Sequence, residues 1–286
     1  MSQNPAPPPA DRDLKSCLAC GGQLEELFTK QVLGKYGARY CRCSRCRMLQ
    51  IPHVHWLGEA YSDSARQLDA GAAQRCIFAG LYIRAMRLSG LLRAGGRVLD
   101  FGSGSGLLVR LLRDQGLDAT GYDKYVTSPF VPEFTLRRLT PQSRTNADMI
   151  TAFEVFEHLL DPAETLALLA ANLSDRGAIL FRTELYRPGT HGPDWAYLHS
   201  AHGQHINFFT AQGLADLSRP LDLAPVFLPF GFHMFVRAGR RVGLLRRVLL
   251  LKLAILHFVL ARAIGLCNFK QAQEDYKALI SKEKRD

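Results

Sequence analysis

The chain has 286 residues, 47% of them hydrophobic and 22% charged, and a formal net charge of +10. That is enough apolar material for one full α/β domain with smaller appendages. No stretch has the form of a cleavable signal peptide, so the seven cysteines are expected in a reducing compartment, where pairs act as metal ligands before they form disulfides.

Residues 1–13, MSQNPAPPPADRD, are Pro-rich and polar and read as a disordered lead-in. Residues 14–60 read as a small module. Cys17-Leu-Ala-Cys20 and Cys43-Ser-Arg-Cys46 are two C-x-x-C turns separated by 22 residues, spaced to close one tetrahedral four-sulfur zinc site. Such a site has no open coordination position and is expected to be structural. Cys41 alternates away from Cys43 and stays outside it, while Cys76 and Cys267 read as buried thiols.

Residues 61–239 read as one domain. A helix is expected over about 68–93, ended by Gly95-Gly96. RVLDF (97–101), DATGYD (118–123), FTLRRL (134–139), DMITAF (148–153) and AILFRTELY (178–186) read as strands. Helices are expected after Ser105, after Asp161-Pro162 and after Thr210, and VFLPFGFHMFVRAG (226–239) reads as a closing hairpin. This alternation predicts a doubly wound, Rossmann-like α/β sheet.

VLDFGSGSG (98–106) places Gly102, Gly104 and Gly106 behind the first strand. A dinucleotide fingerprint needs G-x-G-x-x-G, and its third glycine would fall at Leu107. Asp123 lies 21 residues after Gly102, where a carboxylate accepts ribose hydroxyls. No Gly-Lys-Ser/Thr follows, which excludes a P-loop.

VLDFGSGSG, then GYD (121–123), then ITAFEVFEHLLDP (150–162) resemble motifs I, II and IV of class I S-adenosylmethionine-dependent methyltransferases. The resemblance covers roughly residues 70–240. It implies S-adenosylmethionine as cofactor, with Asp100, Gly102, Ser103, Gly104 and Gly106 around its methionine part, Asp123 on the ribose and Phe153 near the adenine or sulfonium side. The third-strand region lacks the Asp-bearing turn of many relatives. YCRCSRCRMLQIPHVHWLGEAY (40–61) and GPDWAYLHSAHGQHINFFT (192–210) resemble a bacterial subgroup that carries a zinc ribbon before this domain. That subgroup's genes accompany sugar and surface-polysaccharide functions, so the implied acceptor is a hydroxyl of a sugar or glycan intermediate, free or lipid-linked. An RNA or other small-molecule acceptor and a non-catalytic binding module are the competing readings.

Methyl transfer to a hydroxyl needs a group that takes the proton. The loop after the fifth strand carries His191, Trp195, Tyr197, His199, His202 and His205. His205 is the first candidate for general base and His202 the second, with Trp195, Tyr197 and His199 lining the acceptor pocket. In EVFEH, a helix would put Glu154 on one face with Glu157 and His158. Glu154 then sits beside the cofactor as a catalytic candidate, or Glu154, Glu157, His158 and His205 hold Mg²⁺ or Mn²⁺.

Residues 240–286 read as a basic helical extension. From Arg237 to the end there are twelve Lys/Arg against four Asp/Glu, most of the net charge. GLLRRVLLLKLAILHFVLARAIGL (243–266) is too broken by charge to span a bilayer. It is read either as a helix on an anionic membrane surface or as one packed on the domain or a partner. The expected place is cytoplasmic, at the inner face of the membrane in the first of these two readings, with nucleic acid a weaker partner because no aromatic-basic stacking platform is present.

Overall fold

The computed structural model describes residues 11–61, 71–92, 95–126, 128–240 and 242–265. In chain order the strands are β1 (Arg12–Asp13), β2 (Leu24–Val32), β3 (Tyr36–Cys43), β4 (Leu49–Gln50), β5 (His53–Val54), β6 (Arg97–Phe101), β7 (Asp118–Tyr122), β8 (Ala147–Phe153), β9 (Leu173–Arg182), β10 (Asn207–Phe208), β11 (Leu223–Phe227) and β12 (Phe232–Arg237). The helices are α1 (Leu57–Ala60), α2 (Ala72–Leu88), α3 (Leu107–Asp114), α4 (Pro162–Ala171), α5 (Ala211–Ser218) and α6 (Leu244–Ala263).

The chain forms two compact units, one of residues 1–62, 139–146 and 150–240, the other of residues 63–138, 147–149 and 241–286. In the first unit, β2 and β3 form an antiparallel hairpin whose turn places Leu33 and Gly34 at φ +54° and +70°. Its sheet runs β10-β4-β3-β2. The edge strand is therefore drawn from the far end of the sequence, with Asn207 opposite Gln50 and Phe208 opposite Leu49. Behind it, Tyr40, Leu49, Ile51 and Trp56 pack with Tyr186, Leu198, Ile206 and Phe208 in one buried cluster. The Trp56 indole donates to the Gly203 carbonyl at 2.9 Å, satisfying its N–H inside that cluster.

Arg12 and Asp13, expected within a disordered lead-in, instead form β1 against β5. The guanidinium explains the order. It is buried and donates to the carbonyls of Ile51 (2.5 Å) and Ile206 (3.0 Å) and to Asn207 Oδ1 (2.9 Å). Burial lowers its pKa to about 9, a cost offset by a rigid fork of donors that all find acceptors.

The rest of the first unit is a β11-β12-β9-β8 array, antiparallel through β11, β12 and β9. Asp161 caps α4 by accepting from the N–H groups of Ala163 and Glu164, both at 2.9 Å, and Pro162 occupies the first turn without losing a bond. Thr210 caps α5 through Gly213 N–H. Strand β9 starts earlier than expected and ends at Arg182, because Thr183 turns out of the ladder: its carbonyl meets His233 Nε2 (3.1 Å) and its hydroxyl meets Tyr197 (3.0 Å).

In the second unit the order is β8-β6-β7, with β6 and β7 parallel and Asp100 opposite Gly121. Helix α2 stops at Leu88, before Gly95-Gly96, because Gly90 turns left-handed at φ +72° and Leu91 and Leu92 N–H fold back to the Met86 carbonyl. FTLRRL forms no ladder strand. It contributes one bridge, Thr135 to Gly121, and a 3-10 turn over Pro132–Phe134. Pro132 has no N–H to give a ladder, and the Arg113 guanidinium lies 3.3 Å from the Phe134 ring centroid, fixing the segment against α3.

Helix α6 packs on α2, with Leu250, Ala254 and Ala261 buried and Phe258 edge-on to Phe78 at 5.7 Å. Its outward side exposes Leu244, Leu245, Val248, Leu249, Ile255, Leu256, Val259 and Leu260. Among the described residues, no helix is long and apolar enough to cross a membrane.

Candidate functional site

In the second unit, β6 delivers the chain into a loop where Gly102, Gly104 and Gly106 all have positive φ, +75°, +51° and +79°. Gly106 has no alternative: a Cβ there would lie 2.4 Å from Val131 Cγ2. Gly104 differs, since a Cβ there would meet nothing within 4 Å. The loop is held from the outside and open at its middle. Gly102 and Ser103 N–H both reach the Tyr122 carbonyl, and Ser128 Oγ donates to the Gly104 carbonyl at 2.9 Å. Asp123 Oδ2 accepts from Gly104 N–H at 2.9 Å, and Oδ1 from Tyr125 and Val126 N–H at 2.8 and 2.9 Å. A carboxylate offers about four lone-pair sites, so one remains for a ligand hydroxyl. Open backbone at Gly104, a carboxylate with acceptor capacity and the buried Asp100 fit a nucleoside-bearing cofactor. Phe153 belongs to the first unit, where it packs edge-on against Phe232 at 5.5 Å.

The first unit brings Cys17, Cys20, Cys43 and Cys46 together, their sulfurs within 4.8 Å of one another. Cys17 and Cys46 sulfurs are 3.5 Å apart and Cys20 and Cys43 sulfurs 3.4 Å apart. A tetrahedral zinc with bonds of about 2.3 Å sets sulfur–sulfur edges of about 3.8 Å, so the donor set fits that ion with small adjustment. The side-chain bond with Cys46 lowers the Cys17 thiol to about 5, while the same contact and burial raise Cys46. Gln50 supports the cluster: Nε2 donates to Cys17 Sγ at 3.0 Å and Oε1 accepts from Leu18 N–H. Cys41 is buried outside the cluster, Cys76 is half-buried, and Cys267 lies outside the described residues.

The third assembly, also within the first unit, gathers the EVFEH turn and the histidine loop. EVFEH is not an α-helix. Only Phe156–His158 turn, as a 3-10 segment, and Glu154 sits at φ +53° with its carboxylate 3.3 Å from Arg182 Nη1. The expected shared face of Glu154, Glu157 and His158 is therefore absent, and the group that converges is Glu157, His158 and His205. Glu157 is wholly buried. Its Oε1 accepts from Tyr197 Oη–H at 2.6 Å and its Oε2 has no hydrogen-bond partner. Burial first, then the Glu154 charge, pushes its pKa up to about 8.

His205 Nδ1 lies 2.8 Å from the Tyr197 carbonyl. A carbonyl only accepts, so Nδ1 carries the proton and Nε2 the lone pair in the neutral ring. Burial, with His158 and His199 nearby, holds the His205 pKa well below its ordinary value. His158 Nδ1 is 3.0 Å from the Tyr61 hydroxyl, and its ring stands perpendicular to His205 with centroids 4.7 Å apart. His199 is 4.8 Å from His205 by ring centroid, and His202 is 6.1 Å from His199.

Two expected acceptor contacts are otherwise engaged. Tyr197 is buried, its hydroxyl spent on Glu157 and Thr183, so it supports the cluster and is not an open stacking surface. Trp195 stacks on His191 at 4.1 Å. Sequence reading missed Tyr61, Thr183, Ser128 and Gln50. Each acts through hydrogen bonds across at least 14 residues of sequence, which no local spacing encodes.

A family model described as a methyltransferase domain matches residues 77–226. No curated protein matches the chain. Among solved structures, a 1,6-didemethyltoxoflavin-N1-methyltransferase from Burkholderia thailandensis, with S-adenosylhomocysteine bound, is similar at 15% identity, covering 61% of this chain and 83% of that one with a TM-score of 0.46. The plantazolicin methyltransferase BpumL, in complex with S-adenosylhomocysteine, is similar at 14% identity, covering 64% of this chain and 93% of that one with a TM-score of 0.48. A methyltransferase of calicheamicin biosynthesis, CalO1, is similar at 17% identity over 63% of this chain and 60% of that one, with a TM-score of 0.46.

Proposed function

The chain belongs to the methyltransferase domain family and is an S-adenosylmethionine-dependent methyltransferase, and from that premise we propose that it methylates a hydroxyl oxygen of a sugar or glycan-intermediate acceptor. When bound, the cofactor supplies a methyl group on a cationic sulfur. Gly102, Ser103, Gly104 and Gly106 hold its methionine part, the Gly104 backbone offers the open approach, and Asp123 accepts from a ribose hydroxyl. The four thiolates of Cys17, Cys20, Cys43 and Cys46 hold a structural zinc ion, a role their donor chemistry and the Gln50 contact support.

The observation that carries the acceptor reading is the setting of His205, buried with its Nδ1 2.8 Å from the Tyr197 carbonyl. A buried imidazole whose pKa is lowered by burial, with its Nδ1–H committed to the Tyr197 carbonyl, keeps the Nε2 lone pair beside Glu157, His158 and Tyr197. A hydroxyl acceptor must lose its proton as its oxygen takes the methyl group, and this cluster is where that proton is lost. The sugar class rests on the likeness of residues 40–61 and 192–210 to the zinc-ribbon subgroup, and on α6.

Helix α6 seats the protein on an anionic membrane surface, where a lipid-linked acceptor is presented. Its outward side combines eight large exposed apolar residues with exposed Arg246, Lys252 and Arg262, and the helix contains no acidic residue. Cations with apolar neighbours and no anions match an anionic headgroup layer.

A labelled-methyl transfer screen over nucleotide sugars, lipid-linked sugars and RNA tests the reading. Label on a sugar oxygen is expected, with His205→Ala lowering kcat by about 100-fold or more while S-adenosylmethionine affinity holds. Label on RNA alone, or full activity in the variant, would overturn it.

A further inference from the structure

We propose that Glu157, His158 and His205 form a binding site for a divalent first-row transition ion, of the Mn²⁺ or Zn²⁺ kind. One donor atom from each lies within 4.8 Å of the other two, a spread that a single ion can close. Two imidazoles and one carboxylate are a common set for such ions.

The hydrogen bonds around the three residues point the same way. In Glu157 and His205, one polar atom is held from behind and the other is left over. Glu157 Oε1 is taken by the Tyr197 hydroxyl, and Oε2 is buried without a partner. His205 Nδ1 is taken by the Tyr197 carbonyl, leaving Nε2. His158 Nδ1 is engaged by Tyr61. Outer partners on the far atom are how metal ligands are oriented and their tautomers fixed. A buried carboxylate oxygen without a partner is costly in a folded protein, and a cation is the ligand that would satisfy it.

Glu154 is not part of the site, because its backbone turns away at φ +53° and its carboxylate faces Arg182. The four-thiol cluster is a separate, softer site of sulfur donors alone. The purpose of the second ion rests on the acceptor reading above, since it would bind and polarise the acceptor oxygen; the His205 lone pair then serves the ion. Its occupancy does not depend on that reading.

The test uses the full chain as purified, without cofactor or acceptor. Mn²⁺ is titrated and followed by electron paramagnetic resonance, because thiolates disfavour Mn²⁺ and the cysteine site stays out of the signal. One saturable Mn²⁺ per chain is expected. Glu157→Gln and His158→Ala should each weaken it by about 100-fold or more, and Tyr61→Phe by about tenfold. His158 is only half-buried, so that variant keeps the test valid if Glu157→Gln does not fold. Absence of saturable Mn²⁺, together with no Zn²⁺ beyond one per chain by mass spectrometry, would overturn the site. So would binding that is unchanged in both ligand variants. If no ion binds and His205→Ala is still inactive, the acceptor reading stands without the metal.

Discussion

At the scale of single residues, the cofactor loop depends on atoms that leave no room and on a carboxylate that is already employed. Gly106→Ala places a Cβ 2.4 Å from Val131 at a left-handed position. The expected result is a loss of about 1–3 kcal/mol in denaturant unfolding and weaker S-adenosylhomocysteine binding by calorimetry. Asp123→Asn removes the charge that three backbone N–H groups share, and should weaken the same ligand by about tenfold even though Asn can still reach a ribose. His233 gives a pH signature. It is buried, its pKa is lowered by burial, and its Nδ1 has no partner. The unfolded chain therefore binds a proton that the folded chain refuses, so stability falls as pH drops below about 6.5. Urea midpoints measured from pH 7 to 5 should fall more steeply for the parent than for His233→Phe. Of this scale, the glycines and Asp123 were legible because a fixed spacing along one chain encodes them. Tyr61 and Ser128 were not, since each is defined by a partner brought in by folding.

At the scale of elements, periodicity located β6, β7, β8, α3, α4 and the β11–β12 hairpin, each with its own apolar pattern or cap. It failed where a side chain from elsewhere decides the backbone. FTLRRL has strand composition, yet Pro132 and the Arg113–Phe134 contact hold it as a turn. EVFEH has helical spacing, yet Glu154 is drawn to Arg182 and the helix does not start. The pairing of β4 with β10 carries a prediction of its own. Cys46 precedes β4 and Gln50 lies in it, the Cys46 carbonyl accepts from Thr210 Oγ1 at 2.6 Å, and β10 begins two residues after His205. Removing the zinc proposed for the four thiolates with a chelator should therefore raise amide exchange over residues 206–210 as well as over the cysteine turns, by about tenfold or more. Unchanged exchange there would show that the cysteine turns and the histidine loop are independent.

At the scale of the molecule, α6 divides its surface between a stripe spent on α2 and an outward side left apolar and cationic. Replacing Leu245, Leu249 and Leu256, all exposed, by Glu should abolish sedimentation with vesicles rich in anionic lipid. Calorimetric binding of S-adenosylhomocysteine should not change. Retained sedimentation would place any membrane contact elsewhere. The composition pointed to this helix through its charge, and packing decided which side of it faces α2.

The β4–β10 pairing also sets a timetable. Gln50 and Asn207 are 157 residues apart (207 − 50). At about 5–20 residues per second of synthesis, β4 waits roughly 8–30 s for its edge to be covered. During that interval the nascent cysteine segment presents an unpaired strand and the uncovered apolar side of Leu49, Ile51 and Trp56, the kind of edge that invites aggregation. The two halves of the first unit are thus bound by the order of their birth. The cysteine turns are made early and completed only when residues 207–210 arrive, and a ribosome stalled before residue 207 should leave a chain that holds the proposed zinc poorly and calls for a chaperone.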